Sequence, residues 1–183
     1  MKLVFFILLL SASISYGQNA DLQAAVNYLN NVRTKPQIYG SNLGELAKAA
    51  QQKAEDMATR NYFAHINPDG YGMNYFINLN GYSLEKDWLA NKEDNFFESL
   101  CAGPSSPKEA IKVLLIDAGV PSLGHRKHLL GLEKMWATCY DIGIGWAKGK
   151  HATYSDYYCV LIAKHTWTKT STGGGSIEYN RKR

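Results

Sequence analysis

The segment Ser106-Pro107-Lys108-Glu109 sets a capping serine, a proline at the first helical position and a box-closing glutamate directly ahead of Ala110-Ile111-Lys112-Val113-Leu114-Leu115-Ile116-Asp117. The helix it launches is apolar almost all round, so it is expected to be largely buried. Asp117 follows Leu114 and Ala110 at helical spacing and shares their face. An acid there should meet protein rather than water, and the helix dipole disfavours an anion at that end unless something positive lies near. The stretch Gly124-His125-Arg126-Lys127-His128-Leu129-Leu130-Gly131 offers His125 for that role. His128 and Lys127 are expected on a short helix surface, and Arg126 is expected to steady the turn by pairing with a carboxylate or carbonyl.

Upstream, Asp21 is expected to cap a helix carrying Leu22, Ala25, Val26, Leu29 and Val32 on one stripe, with Pro36 at its exit. A second helix is expected from Asn42, with Glu45 completing a capping box and Leu46, Ala47, Ala50, Ala54, Met57 and Ala58 along its apolar face. So many alanines predict close packing against a neighbour. His65 then sits between Tyr62-Phe63, expected to anchor in the core, and the turn Asn67-Pro68-Asp69-Gly70. A short helix is expected over 73–79, a short strand over 87–90, and one or two helical turns over 95–104. Glu98, between Phe97 and Leu100, is either partly buried with a partner or turned to solvent. Residues 141–147 and 156–163 read as an antiparallel pair of strands, with His151 in the polar loop between them.

The first 17 residues read as a cleavable signal peptide: Lys2 precedes an apolar run from Leu3 to Leu10 that is too short to span a bilayer, and small Ser15 and Gly17 suit cleavage before Gln18. This predicts a secreted or periplasmic protein with no transmembrane segment in its mature chain. Residues 18–167 suit one domain, and 168–183, rich in Thr, Ser and Gly with a basic end, are expected to be a disordered tail. The formal charge of +4 is carried by Lys2 and that tail, so no ordered basic face is expected for nucleic acid. Cys101, Cys139 and Cys159 allow at most one disulfide, contain no CxxC for a zinc ribbon, and leave the pairing open. HExxH, GxSxG and a glycine-rich phosphate loop are all missing from the sequence.

Taken in order, Phe63-Ala64-His65 with Pro68, the segment from Asn95 to Gly103 around Glu98, Ser106-Pro107, Gly124-His125-Arg126 with Leu129-Leu130, and Ile142-Gly143-Ile144-Gly145 resemble the CAP superfamily (SCP/TAPS), in particular its bacterial secreted branch. The resemblance covers about residues 21–164. It implies an α+β fold, a three-layer α-β-α sandwich with a small mostly antiparallel sheet, and a cleft of two histidines and two acids. His65 and His125 match the histidines, Glu98 the first acid, and Asp117 falls where a second acid, usually glutamate, is expected. Phe96, Phe97 and Ser99 depart from the family's Gly-Glu-Asn pattern, and Asp117 is a methylene short.

Two neutral imidazoles can ligate Zn²⁺ at about 2.0–2.1 Å, so Zn²⁺ or another divalent cation on His65 and His125 is the expected cofactor. Glu98 or Asp117 is then a candidate general base in a metal-dependent hydrolase. The same tetrad could instead be a set of hydrogen bonds that shapes the cleft without chemistry. The resemblance also implies sterol or lipid binding, or a partner protein on a cell surface, and a binding or interaction role is favoured over hydrolysis. Ser99 and Ser122 as nucleophiles, or Cys101 as a thiolate, are weaker candidates, because no oxyanion-hole motif accompanies the serines and an exported cysteine is more often structural.

Overall fold

The computed structural model describes residues 18–33, 44–165, 167–171 and 177–181. The expected signal peptide, Asn42 and Pro36 lie outside them. Helix α1 covers residues 18–32, so Asp21 lies inside the helix and is not its cap. Its stripe ends differently from the expectation: Val32 is exposed and Arg33 is buried. The Arg33 guanidinium donates to the carbonyls of Leu129, Trp136 and Cys139, which satisfies a charge that burial would otherwise make costly.

Helix α2 (Glu45–Arg60) starts at Gly44 with no side-chain cap, and ends on Asn61 in the left-handed region at φ 52°. Its small buried residues Ala49, Ala50 and Ala54 have a structural counterpart in the sheet. A Cβ on Gly143 would lie 2.5 Å from the Leu46 backbone, and one on Gly145 only 2.1 Å from the Ala50 carbonyl. The predicted close packing is therefore helix backbone resting on glycine. Helix α3 (Met73–Leu79) follows and stops at Asn80, as its sequence predicts.

In place of the strand expected over 87–90 there is a 3₁₀ turn over Lys86–Leu89, whose Trp88 packs its ring against Phe96 and Phe97 rather than joining a ladder. The larger correction is at 95–104. Strand β1 (Glu98–Ala102) replaces the expected helical turns, because its backbone pairs antiparallel with β3 (Asp156–Ala163). Local pattern misleads here because Glu98 to Cys101 are all buried, so no polar face marks the strand's period of two. Strand β2 (Asp141–Lys148) pairs with the other edge of β3, giving the order β1-β3-β2. Gln51 from α2 closes the outer edge of β2: its amide accepts from the Trp146 N–H and donates to the Trp146 carbonyl.

The register sorts the side chains into two faces. Glu98, Leu100, Cys159, Leu161 and the two glycines face α2, whereas Ser99, Cys101, Val160 and Ile144 face the opposite layer. That layer holds α4 (Pro107–Ile116) and α5 (Gly124–Leu130), with Tyr28 of α1 beneath Lys108 and Lys112 of α4. Ser106 caps α4 by accepting from the Glu109 amide, as the box predicts, but Val113 and Ile116 face outward, so the helix is buried on one side only. The result is the α-β-α arrangement with a small antiparallel sheet. Farther on, where composition predicts a disordered tail, β4 (Trp167–Ser171) and β5 (Ile177–Arg181) pair antiparallel.

Candidate functional site

Glu98 enters from the edge strand β1 on the face toward α2, and its carboxylate has no exposed area. One oxygen lies 2.7 Å from His65 Nδ1 and the other accepts from the Cys159 thiol at 3.5 Å. Burial next to Glu98 also pushes the Cys159 thiol well above its ordinary pKa. His65 itself is 48% exposed, on the loop after α2. The aromatics expected to anchor that loop do so only in part. Tyr62 donates to Asp56, but Phe63 is exposed and meets Tyr154 edge-on at 5.8 Å. The anchor is Lys53, whose ammonium donates to the carbonyls of Ala64 and His65, each at 2.8 Å. Burial lowers the Lys53 pKa and the Glu98 charge acts to raise it.

The second pair forms at the junction of α4 and α5. Asp117 ends α4 in the left-handed conformation at φ 54°, which an aspartate tolerates better than most residues. Its Oδ1 lies 2.7 Å from His125 Nδ1, and its Oδ2 accepts from the Arg126 amide at 3.2 Å. The carboxylate thus meets the amide-rich start of α5, which offsets its unfavourable place at the end of α4. Arg126 donates through Nε to the Leu115 carbonyl, the steadying role expected of it. His125 remains 28% exposed.

Between the pairs lies a contact the sequence pattern does not reveal. His128, expected on a helix surface, is buried, with Nδ1 2.7 Å from Ser99 Oγ and Nε2 3.4 Å from the Ile162 carbonyl. Nε2 must carry the proton to donate to a carbonyl, so the Ser99 hydroxyl donates to Nδ1. Burial lowers the His128 pKa to about 3, with Arg33, His125 and His65 adding repulsion. Because Glu98 and Ser99 point to opposite faces of one edge strand, the strand ties the His65 pair to α5 and hence to His125.

A groove of about 410 Å³ adjoins the second pair, with Phe63, Leu100, Val113 and Ile116 in its apolar walls and Asp117 and His125 at its polar end. A pocket of about 420 Å³ lies elsewhere, by the outer edge of β2 around Gln51, Glu55 and Trp146, and no histidine lines it. Ser99 is too deeply buried to serve as a nucleophile. Cys101 and Cys139 are pushed up to about 11 by burial and are thiols at neutral pH. All three cysteines are free. His151 is exposed, as expected for a loop histidine.

Imidazole nitrogen is a donor type that divalent ions take. In each pair Nδ1 faces a carboxylate, so Nε2 is the ring nitrogen left to coordinate, and the carboxylates serve as orienting partners. Among the described residues no group of three or more His, Cys, Asp or Glu is placed to hold a metal. Any such ion would rest on the two imidazoles and on water. Lys53, Cys159 and the Ser99–His128 contact were not foreseen from the sequence. Only Lys53 left a signal there: it occupies the helical spacing of Ala50, Ala54 and Met57, a cation on an apolar stripe.

An α-β-α sandwich with a three-stranded antiparallel sheet, carrying one histidine-carboxylate pair at the edge strand and another at a helix junction, defines the class of domain. Residues 26–163 match the model of the cysteine-rich secretory protein family, CAP, and the chain belongs to that family. An extracellular protein of Bacillus anthracis str. Ames that contains an SCP domain superposes with a TM-score of 0.55 at 22% identity, over 80% of this chain and 41% of its own. An outer surface protein of Borrelia burgdorferi superposes with a TM-score of 0.56 at 17% identity, over 81% of this chain and 96% of its own. At these identities the likeness is one of fold. No curated protein matches the chain. Among the described residues no helix is long and apolar enough to cross a membrane.

Proposed function

We propose that this is an exported CAP-domain protein that binds a divalent cation, Zn²⁺ for preference, through Nε2 of His65 and His125, in a binding or interaction role outside the cell. The observation that supports this is the paired Nδ1-to-carboxylate contact, 2.7 Å in each case, on two partly exposed rings. Export rests on the apolar leader and on the extracellular and outer-surface descriptions of the two structural relatives. A bound ion at such an open site supplies Lewis acidity and an acidified water. Binding is favoured over hydrolysis because both oxygens of Glu98 and both of Asp117 already have partners, which leaves neither acid poised as a base. The apolar groove beside His125 supports a second reading, a sterol or lipid ligand whose polar end meets that histidine.

Calorimetric titration of the domain with Zn²⁺ near pH 7 tests the first reading. Saturable binding that weakens in both His65→Ala and His125→Ala is expected. Heat no different from buffer, or binding indifferent to both changes, would remove it. Uptake of a fluorescent sterol or fatty acid, lost in Val113→Asp, tests the second.

A further inference from the structure

The geometry points to Lys53 as the positioning residue of the His65 half of the site: its buried ammonium clamps the backbone that carries the imidazole and supplies the counter-charge to Glu98. This rests on the metal reading only where zinc affinity is the measurement. Lys53 lies on the inner face of α2 and is 4% exposed. An ammonium has three protons to donate, and three acceptors surround this one: the Ala64 and His65 carbonyls at 2.8 Å and the Tyr62 hydroxyl at 3.3 Å.

Two of those acceptors are consecutive peptide carbonyls, the second belonging to His65 itself. With both held, the loop after α2 has little freedom to rotate the bond that aims the ring. Glu98 then fixes the ring from its other end through Nδ1. A simple packing role is a poor account of this lysine, since an apolar residue would fill the same stripe without a buried charge to satisfy. The charge balance gives it a use. Glu98 has no exposed area, and Lys53 is the cation on α2's buried face, acted on by the charges of Glu98 and Asp56. Nδ1 of His65 faces the Glu98 carboxylate, which leaves Nε2 as the ring nitrogen presented outward.

The test compares wild type, Lys53→Met and Lys53→Arg as metal-free, ¹⁵N-labelled protein. The ring nitrogens of His65 and His125 are read by NMR, and zinc affinity is then read by calorimetry. In Lys53→Met the His65 ring shifts are expected to move from a single Nδ1–H tautomer toward an average of the two, while His125 stays put. Zinc affinity should fall about tenfold or more, the usual loss when an orienting partner is removed. Lys53→Arg, which keeps the charge and donors, should restore part of both. His65 signals unchanged in a folded Lys53→Met protein would overturn the proposal. Should wild type bind no zinc, the metal reading fails while the ring signals still decide the role of Lys53. Should neither variant fold, the wild-type Lys53 ammonium decides: slowly exchanging protons with cross-peaks to the His65 backbone support the clamp, and a fast-exchanging, averaged ammonium refutes it.

Discussion

Asp117 grips His125 from the C-terminus of one helix while its other oxygen closes the N-terminus of the next, through the Arg126 amide. Orientation of the imidazole and continuity of the chain at this corner therefore depend on the same carboxylate. Asp117→Asn keeps a side chain that tolerates the left-handed backbone and one accepting oxygen, but turns the other acceptor into an NH2 donor and removes the charge. It should cost the fold about 1–3 kcal/mol and weaken zinc binding by about tenfold or more. Paired denaturation and calorimetry would show this, and unchanged zinc affinity would mean that the charge is irrelevant to the site.

His128 makes stability depend on pH in a defined window. Its pKa is lowered from 6.5 to about 3 in the folded protein, so between those values the unfolded chain takes up a proton that the folded chain refuses. The contribution is therefore fully present above pH 6.5, declines as pH falls, and is exhausted near pH 3. The limiting slope for one proton is about 1.4 kcal/mol per pH unit. Urea titrations from pH 4 to 7 should show that slope shrinking in His128→Gln. An identical pH profile in the variant would reject the assignment.

The three thiols should be silent toward a thiol reagent in the native state. Cys101 and Cys139 are raised to about 11 by burial, and Cys159 is raised well above its ordinary value by burial and by the Glu98 charge. Spectrophotometric labelling at pH 8 is expected to be slow and to reach all three only on addition of denaturant. Rapid reaction of one equivalent in native buffer would contradict the buried placement.

Gly145→Ala should be among the most damaging single-atom changes in the chain, since the added methyl meets the Ala50 carbonyl at 2.1 Å. Backbone cannot yield as a flexible side chain does, and a loss of about 3 kcal/mol is expected, at the upper end of overpacking costs. Gly124→Ala, whose new methyl meets only Ser122 Oγ at 3.6 Å, is the control. Melting temperatures of the two variants compare them directly.

What the sequence reveals and what it hides follow the range of the interactions. The capping box at Ser106, the stop at Asn80 and the pair β2-β3 are written in adjacent residues, and the structure follows them. Strand β1 was hidden because helices cover the sheet on both sides, which removes the alternation that marks a half-exposed strand. The four residues were legible through ordered motifs and Asp117 was expected beside His125, but the meeting of Glu98 with His65 and the contacts that set the rings were not. Lys53 to His65 depends on where α2 lies against the loop, and Ser99 to His128 on which face of β1 meets α5. His128 looked like surface because α5 is only seven residues long, too short for its buried face to show as a periodic stripe. Arg33, on which the sequence carries no expectation, is buried for a similar reason: three carbonyls from other segments close around its guanidinium.

The Gln51 amide lies against the open rim of β2 in the position a fourth strand's peptide group would take. Growth of the sheet by a second molecule is blocked at Trp146, because both of the hydrogen-bonding groups an incoming strand would need there are already used. Gln51 thereby guards this point of the sheet against edge-to-edge aggregation, with Gln18 adding a second donor to the Trp146 carbonyl.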